Sequence, residues 1–210
     1  MLKYKLITTG MLPTNTYILY DDATNDCVVI DPAFDGGKVL SILKDKKFNL
    51  KGILLTHGHF DHCGGVKTLL EYKNVDVYGN SLDAELAANA SKNQWRARAQ
   101  DCTMTKFVDN EKDFSIGNFK FSVINTPGHT EGGVCYFIDD LMFSGDTLFC
   151  DSVGRTDLQG GDSAKLAESL KKIANIKKNY TVLAGHMETT DLDTQKRTNP
   201  YLKAEAIDFD

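Results

Sequence analysis

Short apolar runs bounded by turn residues alternate along the chain with longer stretches whose apolar positions fall three and four apart. Residues 4–9 (YKLITT), 15–20 (NTYILY) and 26–31 (DCVVID) read as strands of a meander. Residues 37–48 (GKVLSILKDKKF) have helical spacing with lysines on the outer positions, which predicts an amphipathic helix. A fully apolar strand follows at 52–56 (GILLT), then a helix at 66–73, a strand at 75–79, and one or two helices over 82–100. The second half repeats this style. Strands are expected at 119–126, 133–139, 141–146 and 180–185, with a clear helix at 163–175. A last helix over 189–202 should end at the Asn199–Pro200 pair. Strand groups followed by helices suggest an α/β layered fold, two sheets packed together with helices outside, though periodicity alone does not choose this over an ordinary doubly wound sheet. No linker, low-complexity tract or repeat divides residues 1–210, so a single domain is expected.

Composition narrows the class only slightly. At 210 residues the chain can bury most of its apolar surface without disulfides. Its net charge of −5 leans away from nucleic acid and anionic membrane as partners. Nothing approaches the roughly 18 continuous apolar residues of a membrane helix, and the N-terminus lacks the features of a signal peptide. The five cysteines are scattered and form no CxxC pair, which predicts reduced thiols in a cytoplasmic protein.

The sharpest chemical signal is the run His57-Gly58-His59-Phe60-Asp61-His62, an HxHxDH pattern directly after a strand. A loop at a strand end aims alternate side chains, His57 and His59, at one ion, while Asp61 and His62 turn toward a neighbouring position. Imidazole suits zinc and iron, and a carboxylate adds charge and hardness. His129, Asp146 and His186 each follow a different predicted strand, where sites on layered α/β folds collect. Singly each is weak evidence; together they leave no histidine unassigned.

These motifs, with the early Asp31 and the stretches TPGHT, SGDTLF, GRTDLQGGD, AGHMETT and RTNPYL, resemble the metallo-β-lactamase superfamily, most closely its glyoxalase II-like branch. The resemblance implies an αββα sandwich with the site at one edge between the sheets. It implies that His57, His59 and His129 hold one metal, that Asp61, His62 and His186 hold a second, and that Asp146 bridges both. Asp31 would orient ligands without binding metal. Two divalent ions are implied, zinc first, with iron or manganese as alternatives. Asp146 stands where many secreted lactamases have Cys, and Cys150 lies four residues too late to replace it.

Two metals can lower the pKa of a shared water to about 7, giving hydroxide to attack a carbonyl carbon. Asp61 is the candidate for orienting that nucleophile or relaying its proton. With every histidine a ligand, no free imidazole remains as general acid, which favours a thiolate leaving group with parent pKa near 8.5. A zinc-dependent thioesterase acting on a small molecule, possibly a glutathione-derived thioester, is the expected enzyme. Full-length glyoxalase II enzymes carry a further C-terminal helical region, which leaves glutathione recognition open. Arg155, Trp95, Arg96 and Arg98 are candidate substrate contacts, with an Arg155–Asp157 salt bridge as the equal alternative for Arg155. The rival readings are a mononuclear iron persulfide dioxygenase using His57, His129 and Asp146, a non-catalytic metal-binding module, and a metallo-nuclease.

Overall fold

The computed structural model describes residues 1–92 and 99–203. The first sheet has six strands in sequence order: β1 (Leu2–Thr9), β2 (Thr14–Asp21), β3 (Asp26–Ile30), β4 (Asn49–Leu54), β5 (Asp76–Gly79) and β6 (Lys106–Phe107). Strands β1 to β3 form the expected antiparallel meander, and β3 to β6 run parallel. The parallel crossovers carry α1 (Gly36–Asp45), α2 (Phe60–Cys63), α3 (Val66–Tyr72) and α4 (Ala84–Ala88).

The second sheet contains β7 (Phe114–Ile116), β8 (Phe119–Asn125), β9 (Val134–Ile138) and β10 (Leu141–Gly145). A small hairpin of β11 (Leu148–Phe149) and β12 (Ser152–Val153) follows, then α5 (Ser163–Ala174), β13 (Thr181–Ala184), β14 (Thr190–Asp191) and α6 (Leu192–Thr198). The sheet order is β14-β13-β10-β9-β8-β7, with β10 and β13 parallel and the other pairs antiparallel.

Side-chain alternation explains why the strand sequences are apolar almost throughout. Successive residues face opposite sides of a sheet, and here both sides of both sheets are covered. Tyr17 and Leu19 of β2, Val28 and Ile30 of β3, and Tyr136 and Phe143 of the second sheet meet in the layer between the sheets. Ile18, Cys27, Val29 and Ile53 point outward against Val39 and Leu43 of α1 and Leu69 of α3. Cys135, Met142 and Val182 point outward on the other side, against Leu166, Leu170 and Ile173 of α5. The result is the helix–sheet–sheet–helix order that the sequence predicts.

Element limits shift in places. The first helix stops at Asp45, because Lys47 adopts φ 54°. Phe48 N–H then donates to Leu43 O (2.8 Å) and Lys47 N–H to Lys44 O (3.1 Å), a Schellman closure that returns Phe48 to the core. Residues 81–92 form α4 between two short 3-10 turns, Ser81–Asp83 and Ala90–Lys92; of the helical stretch expected over 82–100, residues 93–98 lie outside the described residues. The terminal stretch begins as β14 before α6, and Asn199 ends that helix as expected. Strands β6, β7, β11 and β12 are too short to show in the hydrophobic pattern. Among the described residues no helix is long and apolar enough to cross a membrane.

Candidate metal centre

Strands β3, β4 and β5 point their C-terminal ends to one edge of the sandwich, as do β8, β10 and β13 of the second sheet. Every candidate ligand leaves one of these ends. His57, His59, Asp61 and His62 lie on the loop after β4 and on α2; His129 follows β8, Asp146 follows β10, and His186 follows β13. The edge gathers all seven.

Two groups of donor atoms form. His57, His59 and His129 bring ring nitrogens within 4.8 Å of one another, as do Asp61, His62 and His186 with a carboxylate oxygen. The Asp146 carboxylate lies between the groups: Oδ1 is 3.3 Å from His62 Nε2, and Oδ2 is 3.4 Å from both His129 Nε2 and His186 Nε2. His59 Nδ1 and His129 Nε2 are 2.9 Å apart, and His62 Nε2 and His186 Nε2 are 3.4 Å apart.

The outer nitrogen of each imidazole decides which inner atom is free. Thr56 gives its hydroxyl proton to Asp31 Oδ2 (2.6 Å), so it accepts from His57 Nδ1 (3.1 Å) and leaves Nε2 unprotonated. His62 Nδ1–H donates to Asp31 Oδ2 (2.9 Å), His129 Nδ1–H to Arg155 O (2.7 Å), and His186 Nδ1–H to Pro13 O (3.3 Å). Nδ1 of these four rings is thus held outward and Nε2 is the atom turned inward, the arrangement that hydrogen-bonding oxygens impose on metal-binding histidines. His59 presents Nδ1.

The residues fit a metal. Among the described residues, His57 Nε2 and Asp146 Oδ1 are buried with no hydrogen-bond partner, an arrangement that native cores rarely leave uncompensated. The donor spacings bracket the edge of about 3.3 Å expected for a tetrahedron with bonds of roughly 2.0–2.1 Å. Asp31 also lies near His57 and His62. Its two oxygens already accept from Thr56 N–H, Thr56 O–H and His62, so it orients the loop and ring.

Electrostatics divides the two groups. Burial, reinforced by the charge of His62, holds His57 neutral well below the usual histidine range. Burial and then His129 lower His59 to about 3. Burial acts the same way on His62 and His186, but surrounding carboxylates outweigh it. Asp146, Asp61 and Asp31 raise His62, and hydrogen bonds to Asp146 and Asp61 raise His186 to about 9. Burial opposes ionisation of Asp146, yet His62 and His186 hold it well below the carboxylate range. A cation replacing those protons would meet the same carboxylates.

Several residues that hold the site carry no motif. The polar triplet opening β2 serves three parts of it. Thr14 Oγ1 donates to Asp61 Oδ2 (3.0 Å), and Thr16 Oγ1 donates to Asp31 O (2.7 Å). Asn15 Nδ2 donates to Ala184 O (3.1 Å) and Met187 O (2.8 Å), clasping the His186 loop. Three buried polar residues heading an apolar strand are the signal that reading the segment only as a strand misses. The Asp83 carboxylate is likewise buried beneath the site; burial raises its pKa, which hydrogen bonds from Thr130, Gly58 and Gly132 counter.

Arg155 contributes its carbonyl to His129, while its guanidinium forks onto Asp157 with two 2.6 Å contacts at the surface. Its side chain thus takes the salt-bridge alternative. Trp95, Arg96 and Arg98 lie outside the described residues. Cys63 is buried beside Gly58 O, and Cys150 meets Gln195; neither belongs to the two donor groups.

The chain is similar to known proteins over most of its length. Residues 9–186 match the metallo-β-lactamase superfamily. A Bacillus subtilis relative, the probable metallo-hydrolase YqgX, is 33% identical over 96% of this chain and 98% of its own. The hydroxyacylglutathione hydrolase GloC of Haemophilus influenzae is 28% identical over 96% of this chain and 99% of its own. Among solved structures, the BLEG-1 B3 metallo-β-lactamase has a TM-score of 0.90 at 34% identity, covering 96% of this chain and 100% of that one. TTHA1623 in a di-iron-bound form has a TM-score of 0.86 at 34% identity, covering 94% and 100%. With its layered fold, its edge site and this match over most of its length, the chain belongs to the metallo-β-lactamase superfamily.

Proposed function

We propose that this protein hydrolyses small thioesters by a glyoxalase II-type reaction at a two-metal centre. The ions would be held by His57, His59 and His129 on one side and Asp61, His62 and His186 on the other, with Asp146 shared. The carrying observation is the convergence of all five imidazoles on one buried pocket, which leaves none beside it to protonate a leaving group. A thiolate, with a parent pKa of about 8.5, departs without that help; an amide nitrogen does not. The similarity to GloC supports the same reaction, since a chain matched over 99% of its length carries the name hydroxyacylglutathione hydrolase.

Bound divalent ions supply an acidified water and a Lewis acid for the carbonyl oxygen. The protein does the rest. Asp61, its Oδ2 fixed by Thr14, would orient the attacking water and take its proton. His57 and His59, kept neutral by burial, stay available as ligands across the working pH range. An open cleft of about 680 Å3 beside His59, lined by Leu82, Leu86, Lys92, Glu131 and Leu158 among others, has room for the acyl and thiol portions of a small substrate. Zinc is the favoured ion for these donors, and iron is compatible with them.

The test is elemental analysis of purified protein combined with turnover of S-lactoylglutathione and of a simpler thioester, with and without chelator. Two equivalents of metal and chelator-sensitive cleavage are expected, and the ratio of the two rates measures recognition of glutathione. About one iron per chain, no cleavage, and oxygen uptake with glutathione persulfide would overturn the hydrolase and establish the dioxygenase.

A further inference from the structure

Asp83 lies outside every metal-binding motif and among none of the candidate ligands. It ends the 3-10 turn Ser81–Asp83 and is 2% exposed. Its Oδ2 accepts from Gly58 N–H (2.8 Å) and from Thr130 O–H (2.7 Å), and its Oδ1 accepts from Gly132 N–H (2.7 Å). Gly58 separates His57 from His59, and Thr130 follows His129. One carboxylate therefore joins the loop of the first sheet that carries two ring donors to the loop of the second sheet that carries the third.

The surrounding structure is built to bring that carboxylate close. A Cβ on Gly58 would sit 2.6 Å from Asp83 O, and one on Gly132 would sit 2.7 Å from Asp83 N. Both are backbone contacts that no side chain can relieve, so glycine at each position admits the turn. The turn is itself anchored to both sheets. Asn80 caps it by accepting from Leu82 N–H (3.0 Å) and donates to Asn125 Oδ1 (3.2 Å) at the end of β8; Ser81 N–H donates to Asp109 (2.8 Å).

We infer that Asp83 is a positioning residue that fixes the separation of His57 and His59 from His129, and so sets metal affinity at that triad alone. This rests on the two-metal reading above. The Asp61, His62 and His186 group has its own supports in Thr14, Asp31 and Pro13, and none of them passes through Asp83. Selectivity between the two triads therefore separates this role from a general contribution to stability.

Asp83→Asn tests it. The amide keeps the shape but has one acceptor atom for three donors, so an NH2 group must face either Gly132 N–H or the Gly58 and Thr130 pair. Thr130→Val removes one of the three bonds and provides a milder variant. Zinc is titrated into metal-free wild type and both variants in competition with a chromophoric chelator, with melting followed in parallel. Wild type should bind two equivalents tightly. Asp83→Asn should keep one tight equivalent and weaken the other by about 10–100-fold, the usual effect of losing an outer-shell partner. Thr130→Val should weaken the same equivalent by less. Two undiminished tight sites in Asp83→Asn would overturn the inference, as would equal weakening of both sites. Fewer than two equivalents in wild type would overturn the two-metal reading and the inference with it.

Discussion

Met187 follows His186 directly and holds φ 65°, a left-handed conformation that costs a side chain with a Cβ about 1–2 kcal/mol. Asn15 maintains it by donating to the Met187 carbonyl. Met187→Gly should remove that strain, offset by the larger entropy glycine has when unfolded, about 0.4–1 kcal/mol. The expected net effect is a gain of up to about 1 kcal/mol, read as a higher Tm; a fall in Tm would mean the methionine side chain holds the loop. Tyr17 and Tyr136 predict a pH effect. Burial pushes both phenols well up from the ordinary tyrosine value, and their hydroxyls donate to Ala184 O and Leu55 O. A folded-state pKa above the unfolded one means the native protein binds more protons in the interval between them. Stability is thus full below about pH 10 and falls as pH rises beyond it. Melting curves from pH 8 to 11.5 should show the decline, and Tyr17→Phe should flatten part of it. The seven clustered His and Asp side chains were visible in sequence, because HxHxDH is rare and the others each follow a strand. Thr14, Asn15 and Asp83 were not, since the site partners they hold lie 25 to 172 residues away.

At the scale of elements, α5 does more than cover a sheet. Its capping residue Asp162 donates N–H to Gly128 O (2.8 Å), and Ser169 Oγ donates to Pro127 O (2.7 Å). Gly128, at φ 140°, packs directly on the helix: a Cβ there would lie 2.4 Å from Leu166 N and Cα. Gly128→Ala should push α5 away from the loop that carries His129. A loss of about 2–6 kcal/mol is expected, the sum of an overpacking and a backbone-strain cost of about 1–3 kcal/mol each, with weakened metal binding at the His129 triad. Unchanged melting and metal content would show that the loop is positioned without α5. The helices and main strands were legible because amphipathic and continuous apolar patterns differ over ten residues. Two- and three-residue strands were not, since they are defined by their partners. The premature end of α1 depends on Lys47 accepting a conformation more often given to glycine.

Across the whole molecule, the seven converging side chains come from both sheets, so an ion held among them ties the two halves together. Binding that requires the folded arrangement adds to stability by mass action, about 2.7 kcal/mol per site at a hundredfold excess over Kd. In a protein of this size 1 kcal/mol moves Tm by roughly 2–4 °C. Chelation should therefore lower the calorimetric Tm by roughly 10–20 °C if two ions are bound, and restoring metal should reverse it. The layered architecture followed from the alternation of strand and helix patterns. The choice of this sandwich over an ordinary doubly wound sheet came from the resemblance carried by the metal motifs, because periodicity does not encode which strands share a sheet.

No sulfur enters the two donor groups: Asp146 fills the position after β10, and Cys63 and Cys150 are engaged elsewhere. Thiolates are the ligands that favour soft ions; a set of nitrogen and carboxylate oxygen donors accepts several divalent first-row metals, and which one is taken up depends on geometry and availability as well as on intrinsic affinity. The centre is thus open to the cell's own metal economy. Protein produced in iron-rich medium should carry iron, and the same chain from zinc-supplemented medium should carry zinc, as elemental analysis of the two preparations will register. An organism short of one ion could then keep this centre supplied with another.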